Sequence, residues 1–218
     1  MNSRVILVSD DRSSLRSPDT LLWPDAACMR GIHTGEWTAH IFEYAMSFEG
    51  NMTQVRELAA ANGVGVLHPH GALATDPPGL IVCDVDSTVT RTEAIDLLAE
   101  CAGKADEVRE ITARAMVGEL DFTQSLYARV RCLEGLHIGA LEEAWKATVI
   151  TPGTAELVAA AHDVGAAVGL VSGGFTALVD PLAEQIGADF AASHELEIVD
   201  DHLTGRVVGD IIDRAAKA

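Results

Sequence analysis

Apolar residues recur along this chain in two rhythms. The first is the short apolar run: 4–8 (RVILV), 64–67 (VGVL), 80–83 (LIVC) and 166–171 (AAVGLV). These runs are too short for helices and rich in β-branched residues, so they predict strands. The last two are continuous rather than alternating, which suits strands buried on both faces of a parallel sheet. Residues 36–48 (EWTAHIFEYAMSF) are rich in β-formers and partly alternate, predicting another strand. The second rhythm is helical. Met52, Val55, Leu58 and Ala59 share one face and stop at Asn62-Gly63. From 92 to 148 the pattern reads as helix after helix. Ile95, Leu98 and Ala99 form one stripe, Val108, Ile111 and Ala115 a second, and Phe122, Leu126, Val130 and Leu133 a third, with 137–149 adding a fourth helix. Thr151-Pro152-Gly153 opens another, with proline at a tolerated early position. A helix from Phe175 to Ile186 ends at Gly187. Phe190–Ala192 predicts a third parallel strand, and 195–199 and 203–208 flank Asp200-Asp201-His202 as a hairpin. Residues 11–35, punctuated by Ser, Pro and Asp, read as irregular.

The elements sort into two regions. Residues 1–78 predict a small α+β domain ending in a linker, HPHGALATDPP (68–78), whose two histidines, His68 and His70, read as incidental. Residues 79–218 predict an α/β domain: a strand, a helical insertion at about 92–150, then alternating helix and strand. The insertion falls directly after the first strand, over its carboxyl end. Ligands of open α/β sheets bind there, and a helical cap over that end can exclude water.

Composition narrows the picture. With 48% hydrophobic and 22% charged residues the chain is globular, and with 5% aromatic residues its core must be aliphatic. Against 33 Asp and Glu stand 15 Lys and Arg, a formal net charge of −18. That charge argues against nucleic acid and anionic membranes as partners. A phosphorylated substrate would need a cation to mediate. The four cysteines (Cys28, Cys83, Cys101, Cys132) form no CxxC pair and read as reduced core thiols. The N-terminus turns acidic too early for a signal peptide, and no apolar run approaches the ~18 residues of a membrane span. A soluble, cytoplasmic protein is expected.

The strongest chemical signal is Asp84-Val85-Asp86-Ser87-Thr88 at the end of the 80–83 strand. Two carboxylates so close repel unless they share a cation or a proton. One can act as nucleophile and the other as proton donor. Taken alone, the pair equally reads as a helix-capping Asp beside a turn Asp. A second signal is Ser172-Gly173-Gly174 after a buried strand. Small residues there let backbone N–H groups approach an anion, though a plain strand-to-helix turn looks the same. If the two strands are neighbours, this stretch lies beside Asp84.

The arrangement resembles the phosphoserine phosphatases of the haloacid dehalogenase superfamily. Five stretches match in order: Asp84–Asp96 (DVDSTVTRTEAID), Ala115–Val130 (AMVGELDFTQSLYARV), Thr151–Gly153 (TPG), Leu170–Phe175 (LVSGGF) and Leu203–Ala218 (LTGRVVGDIIDRAAKA). The resemblance implies a Rossmann-like core with a helical-bundle cap. It implies that Asp84 attacks phosphorus to form an aspartyl-phosphate. Asp86 would protonate the leaving serine oxygen and then activate water. Mg²⁺ would be held by the Asp84 carboxylate and the Asp86 main-chain carbonyl. Ser172, Gly173 and the glycine loop that includes Gly174 would bind phosphoryl oxygens, and Lys217 would neutralise them. Glu93 would receive the substrate ammonium and Arg129 its carboxylate, with Met116 and Phe122 lining the pocket. Without that context, Glu93 and Arg129 read as solvated helix charges and Lys217 as a frayed tail. The strand–helix–strand ending of the first region resembles part of an ACT-type ligand-binding domain, a unit compatible with a homodimer.

The chain departs from the pattern at its end. The family carries a later G-D-x-x-x-D turn that completes the metal shell. Gly209-Asp210-Ile211-Ile212-Asp213 is one residue short of that spacing and aligns elsewhere. With three parallel strands visible where doubly wound sheets have five or six, the expectation is a core that is incomplete here. The implied function is Mg²⁺-dependent hydrolysis of O-phosphoserine, the last step of serine biosynthesis. The rivals are another small-molecule phosphatase or phosphotransferase of the superfamily, and a catalytically silent amino-acid sensor.

Overall fold

Leu80–Cys83 and Ala167–Phe175, the two continuous apolar runs, lie side by side as parallel strands in a computed structural model of the chain. The structure describes residues 3–9, 27–33, 38–44, 52–69 and 71–212. His70, Asp213 and Lys217 lie outside them. The chain divides into two units, Met1–Pro77 and Pro78–Ala218.

The first unit holds β1 (Ser3–Ser9), β2 (Ala27–His33), β3 (Thr38–Tyr44), α1 (Met52–Ala61) and β4 (Gly65–Leu67). The strands form an antiparallel sheet in the order β2-β3-β1-β4. Helix α1 stops where Gly63 takes a φ of +68°, a conformation that costs glycine nothing. Strand β2 falls in the stretch read as irregular. Its residues, ACMRGIH, do not alternate, and the strand is made by pairing with β3 across a bulge between Cys28 and Arg30. Cross-strand pairing overrides a weak local preference.

The second unit is built on a sheet ordered β5-β6-β7-β8. Strands β5 (Leu80–Cys83), β6 (Ala167–Phe175) and β7 (Phe190–Val199) run parallel, and β8 (His202–Val208) returns antiparallel to β7. Between β5 and β6 come the cap helices α2 (Ala94–Cys101), α3 (Ala105–Met116), α4 (Phe122–Arg131) and α5 (Gly139–Ala147), then α6 (Thr154–Asp163). Helix α7 (Thr176–Ile186) joins β6 to β7. Local chemistry sets the start of α4. Asp121 accepts the Gln124 N–H at 2.8 Å and Gln124 returns the bond to the Asp121 N–H at 3.1 Å, a capping box.

Two elements run further than their patterns predict. Strand β6 continues past Ser172-Gly173-Gly174 to Phe175, and its register to β7 shifts between Val171 and Phe175, so that stretch is a bulged loop within the strand rather than a turn after it. Strand β7 is continuous from Phe190 to Val199. It pairs with β6 over its first half and with β8 over its second, which joins two predicted strands into one. The hairpin turn is Asp200-Asp201, both left-handed (φ 49° and 61°) as a tight two-residue turn requires.

One apolar cluster seals the back of the sheet, with Val168 and Leu170 against Val158 of α6 and Val179, Leu182 and Ile186 of α7. The other fills the cap and reaches the sheet: Leu98, Val108, Leu126, Val130 and Leu133 pack with Phe175, Leu178, Leu196 and Leu203. Each such side chain contributes about 1.5–3 kcal/mol by burial. The cap is tied to the core at two places. The segments entering and leaving it pair at Thr90 and Ile150, with Arg91 N–H donating to Val149 O at 2.7 Å and Thr151 N–H to Val89 O at 2.9 Å. The turn after α4 also pairs with the hairpin, through Gly135 N–H to Leu203 O and Leu203 N–H to Leu136 O, both 2.8 Å.

The thiols depart from expectation. Cys101 is exposed, and Cys83 and Cys132 are only half-buried. They sit at element edges where packing is partial; the Cys28 side chain is outside the described residues. No helix among the described residues is long and apolar enough to cross a membrane.

Candidate active site

Strand β5 delivers Asp84 in extended conformation, and the chain then turns through Val85–Val89. The turn closes when the Thr90 N–H donates to Val85 O at 2.9 Å. Val85 and Val89 are buried in the sheet's apolar cluster, which leaves Asp84 and Asp86 facing outward from the strand end. Ser87 is left-handed (φ 58°). That conformation costs roughly 1–2 kcal/mol outside glycine. Its hydroxyl donates to Glu93 Oε1 at 2.5 Å, tying the turn to the residue before α2.

The Asp86 carboxylate is held at both oxygens. Oδ1 accepts the Ala94 N–H in the first turn of α2 at 2.8 Å, and Oδ2 accepts the Ser172 hydroxyl at 2.9 Å. Ser172 is fully buried, and its Oγ also accepts the Gly174 N–H at 2.7 Å. This hydroxyl is thus spent within the protein, on Asp86 and on its own loop. A Cβ at position 174 would lie 2.8 Å from Asp86 Oδ2 and 3.0 Å from Ser172 Oγ, so the close approach requires glycine. At Gly173 a Cβ would meet Phe122 at an ordinary 3.5 Å.

These groups border a cavity of about 230 Å³. Asp84, Asp86, Gly173 and Gly174 line it from the sheet, and Glu93, Phe122 and Arg129 from the cap side. Arg129 is half-buried. Burial pulls its guanidinium below the usual value, and the carboxylates of Glu93, Asp96 and Asp86 pull it back up. Its ordinary pKa is so high that it stays charged. A poorly hydrated guanidinium is well suited to receive a carboxylate.

Among the described residues, three carboxyl groups and one guanidinium line the cavity, so a phosphate dianion there calls for a further cation. The cavity is lined by hard oxygen donors, and the groups that would hold a cation there are the Asp84 carboxylate and the Asp86 main-chain carbonyl. Mg²⁺ is commonly held by one or two carboxylates, with water and substrate phosphate completing the shell, so this donor set fits it. Among the described residues no group of three or more metal-ligating side chains gathers.

Of the residues singled out in the sequence, Asp84, Asp86, Glu93, Phe122, Arg129, Gly173 and Gly174 share this cavity, with Ser172 directly behind it. Met116 does not join them: it ends α3 with 83% of its surface exposed. Lys217 lies outside the described residues. Leu126 lines the cavity as well, although its helical spacing marks it only as core, and so does Phe175, which the sequence places at the start of a helix. His194, behind the glycine loop, carries no sequence signal: it falls between the predicted strands 190–192 and 195–199, which the structure joins into β7.

Comparison with known proteins follows the same residues. The family model for haloacid dehalogenase-like hydrolases matches residues 81–218. A phosphoserine phosphatase of Streptomyces coelicolor is 49% identical over 160 residues, 73% of this chain and 39% of that protein. The crystal structure of a probable phosphoserine phosphatase from Vibrio cholerae, in unliganded form, is 32% identical with a TM-score of 0.76, covering 98% of this chain and 65% of that one. A phospho-aspartyl intermediate analogue of a phosphoserine phosphatase is 39% identical with a TM-score of 0.61, covering 65% of this chain and 68% of that one. The chain therefore spans about two fifths of the Streptomyces relative and under two thirds of the Vibrio one.

Proposed function

The chain belongs to the haloacid dehalogenase-like hydrolases, and we propose that within that family it hydrolyses O-phospho-L-serine to L-serine and phosphate. The observation that carries this reading is the composition of one cavity. The Asp84/Asp86 pair borders it from the strand end, and Glu93 and Arg129 border it from the cap side. Phosphoserine presents a phosphoryl group, an ammonium and a carboxylate, which these three features match in charge. The likeness to phosphoserine phosphatases supports the same choice.

In this reading an Asp84 carboxylate oxygen attacks phosphorus as the bond to the serine oxygen breaks. Asp86, which enters this step protonated, gives that proton to the leaving oxygen, and serine leaves. Asp86, now a carboxylate, takes a proton from water. The water oxygen attacks phosphorus, the bond to Asp84 breaks, and phosphate departs. An aspartate nucleophile thus divides one hard displacement into two easier ones. The hydrogen bonds from Ala94 and Ser172 hold Asp86 in one orientation through both proton transfers. Mg²⁺, held by the Asp84 carboxylate and the Asp86 carbonyl, would neutralise charge on the phosphoryl oxygens. Glu93 and Arg129 orient the substrate, and the cap excludes water. In this reading the reaction is the last step of serine biosynthesis. Residues 1–78 we read as a separate ACT-type unit, for which the antiparallel sheet of β1–β4 is the support.

The test is phosphate release from O-phosphoserine in the presence of Mg²⁺. Asp84→Asn is expected to abolish it, and Arg129→Ala to raise KM far more than it lowers kcat. Undiminished turnover by the first variant would sink the mechanism. An unchanged KM in the second would sink the substrate.

A further inference from the structure

His194 sits in the middle of β7 with 1% of its surface exposed, and both ring nitrogens are engaged by the backbone. The Ile212 N–H lies 2.9 Å from Nε2. An amide N–H can only donate, so Nε2 must be a bare acceptor. A neutral imidazole then carries its proton on Nδ1. That nitrogen lies 3.1 Å from the Gly173 carbonyl, which can only accept. The two partners together dictate one tautomer.

The consequence reaches the cavity. Fixing the Gly173 carbonyl fixes the peptide plane it shares with the Gly174 N–H. That N–H donates to Ser172 Oγ at 2.7 Å, and Ser172 donates to Asp86 Oδ2 at 2.9 Å. From Ile212 to Asp86 every donor and acceptor points the same way, so each bond polarises the next. The His194 ring also packs beside Phe122 of the cap, with centroids 6.1 Å apart. His194 touches neither Asp84 nor the open part of the cavity, so it acts only through these neighbours.

We propose that His194 is a positioning residue for Asp86. It sets the Gly173–Gly174 peptide, the peptide sets the Ser172 hydroxyl, and the hydroxyl aims the carboxylate. The role in turnover rests on the phosphatase reading above; the tautomer does not.

The experiment uses the full chain. Long-range ¹⁵N–¹H spectra of the ring in the unmodified protein are expected to show Nδ1 protonated and Nε2 bare. A proton on Nε2 overturns the proposal before any variant is made. His194→Leu keeps the bulk and loses both bonds. Losing one net hydrogen bond's worth of alignment predicts a roughly three- to tenfold lower kcat with KM nearly unchanged. The loss is expected with O-phosphoserine and p-nitrophenyl phosphate alike. His194→Asn places an amide N–H where Nδ1–H was and is expected to restore most of kcat. An unchanged kcat in the leucine variant, a change in KM alone, or an asparagine variant no better than leucine each overturns it. If leucine does not fold, the asparagine variant against the unmodified chain decides, since a kcat reduced more than tenfold would leave no role for the Gly173 bond. Failure of the unmodified chain on O-phosphoserine but not on p-nitrophenyl phosphate sinks only the substrate assignment. Failure on both sinks the phosphatase reading, and the ring tautomer with the Gly174 amide shift in His194→Asn still decides the geometry.

Discussion

Ser172→Ala separates two roles for one hydroxyl. The resemblance implies that Ser172 binds phosphoryl oxygens, whereas in the structure its Oγ is fully buried between the Gly174 N–H and Asp86 Oδ2. Alanine removes a donor from a carboxylate, a bond worth about 1.5–3 kcal/mol, and strands a buried N–H at about 1–3 kcal/mol. The two losses overlap, so a stability loss of about 2–5 kcal/mol is expected by denaturant unfolding. If the Asp86 bond also serves the transition state, 1.5–3 kcal/mol corresponds to a roughly 10- to 150-fold lower kcat. If the hydroxyl serves Asp86 rather than the substrate, KM for O-phosphoserine should barely move. Steady-state phosphate release measures both constants. A kcat within about twofold of the unmodified protein, together with a raised KM, would refute the reasoning and return the hydroxyl to the phosphate.

Three further outcomes are expected. Gly174→Ala drives a Cβ to 2.8 Å from Asp86 Oδ2, so kcat should fall by roughly tenfold or more; an active, normally melting variant would show that the loop yields freely. Gly205 in β8 is left-handed (φ 74°), and a Cβ there would lie 2.9 Å from Glu134 Cβ and 3.3 Å from Arg131 Cα. Gly205→Ala should therefore loosen the join between cap and hairpin and lower the melting temperature by roughly 5–10 °C, an effect scanning calorimetry would register or deny. Asp189 takes the Val168 N–H at 2.7 Å and His162 Nε2 at 3.0 Å, and these bonds, the Val168 one foremost, hold its carboxyl below the usual range. A depressed pKa supplies stability that is complete above the unfolded value of about 3.9 and is lost as pH falls through the folded one. The melting gap between the unmodified protein and Asp189→Ala should thus be widest near neutrality and narrow towards pH 3; a constant gap would contradict the assignment.

Much of the site is legible in the chain because its chemistry is local. An apolar run ending in Asp84-x-Asp86 places two carboxylates at a strand end whatever surrounds them, since i and i+2 cannot separate. Helical spacing marks Leu98, Val108, Leu126, Val130 and Leu133 as buried, and all five are. Phe122 shares their spacing, yet it is 42% exposed and lines the cavity. Periodicity reports which face a residue occupies, not whether that face meets core or cleft. Met116, matched to a pocket position by resemblance rather than by periodicity, is 83% exposed.

What tertiary structure alone decides is who meets whom across long separations. Ser172 reaches Asp86 across 86 residues, and His194 reaches Gly173 and Ile212 from a third strand. No pattern within a strand encodes those bonds, because they depend on the register of β6 and β7 and on a bulge between Val171 and Phe175. Pairing with β7 on both sides of that bulge carries β6 on past the Ser-Gly-Gly stretch, and pairing with β3 makes β2 out of residues with no strand pattern. Local composition determines which groups exist and which way they face. Strand pairing, acting between distant segments, determines which carboxylate is held, by which hydroxyl, and which nitrogen of a buried histidine keeps its proton.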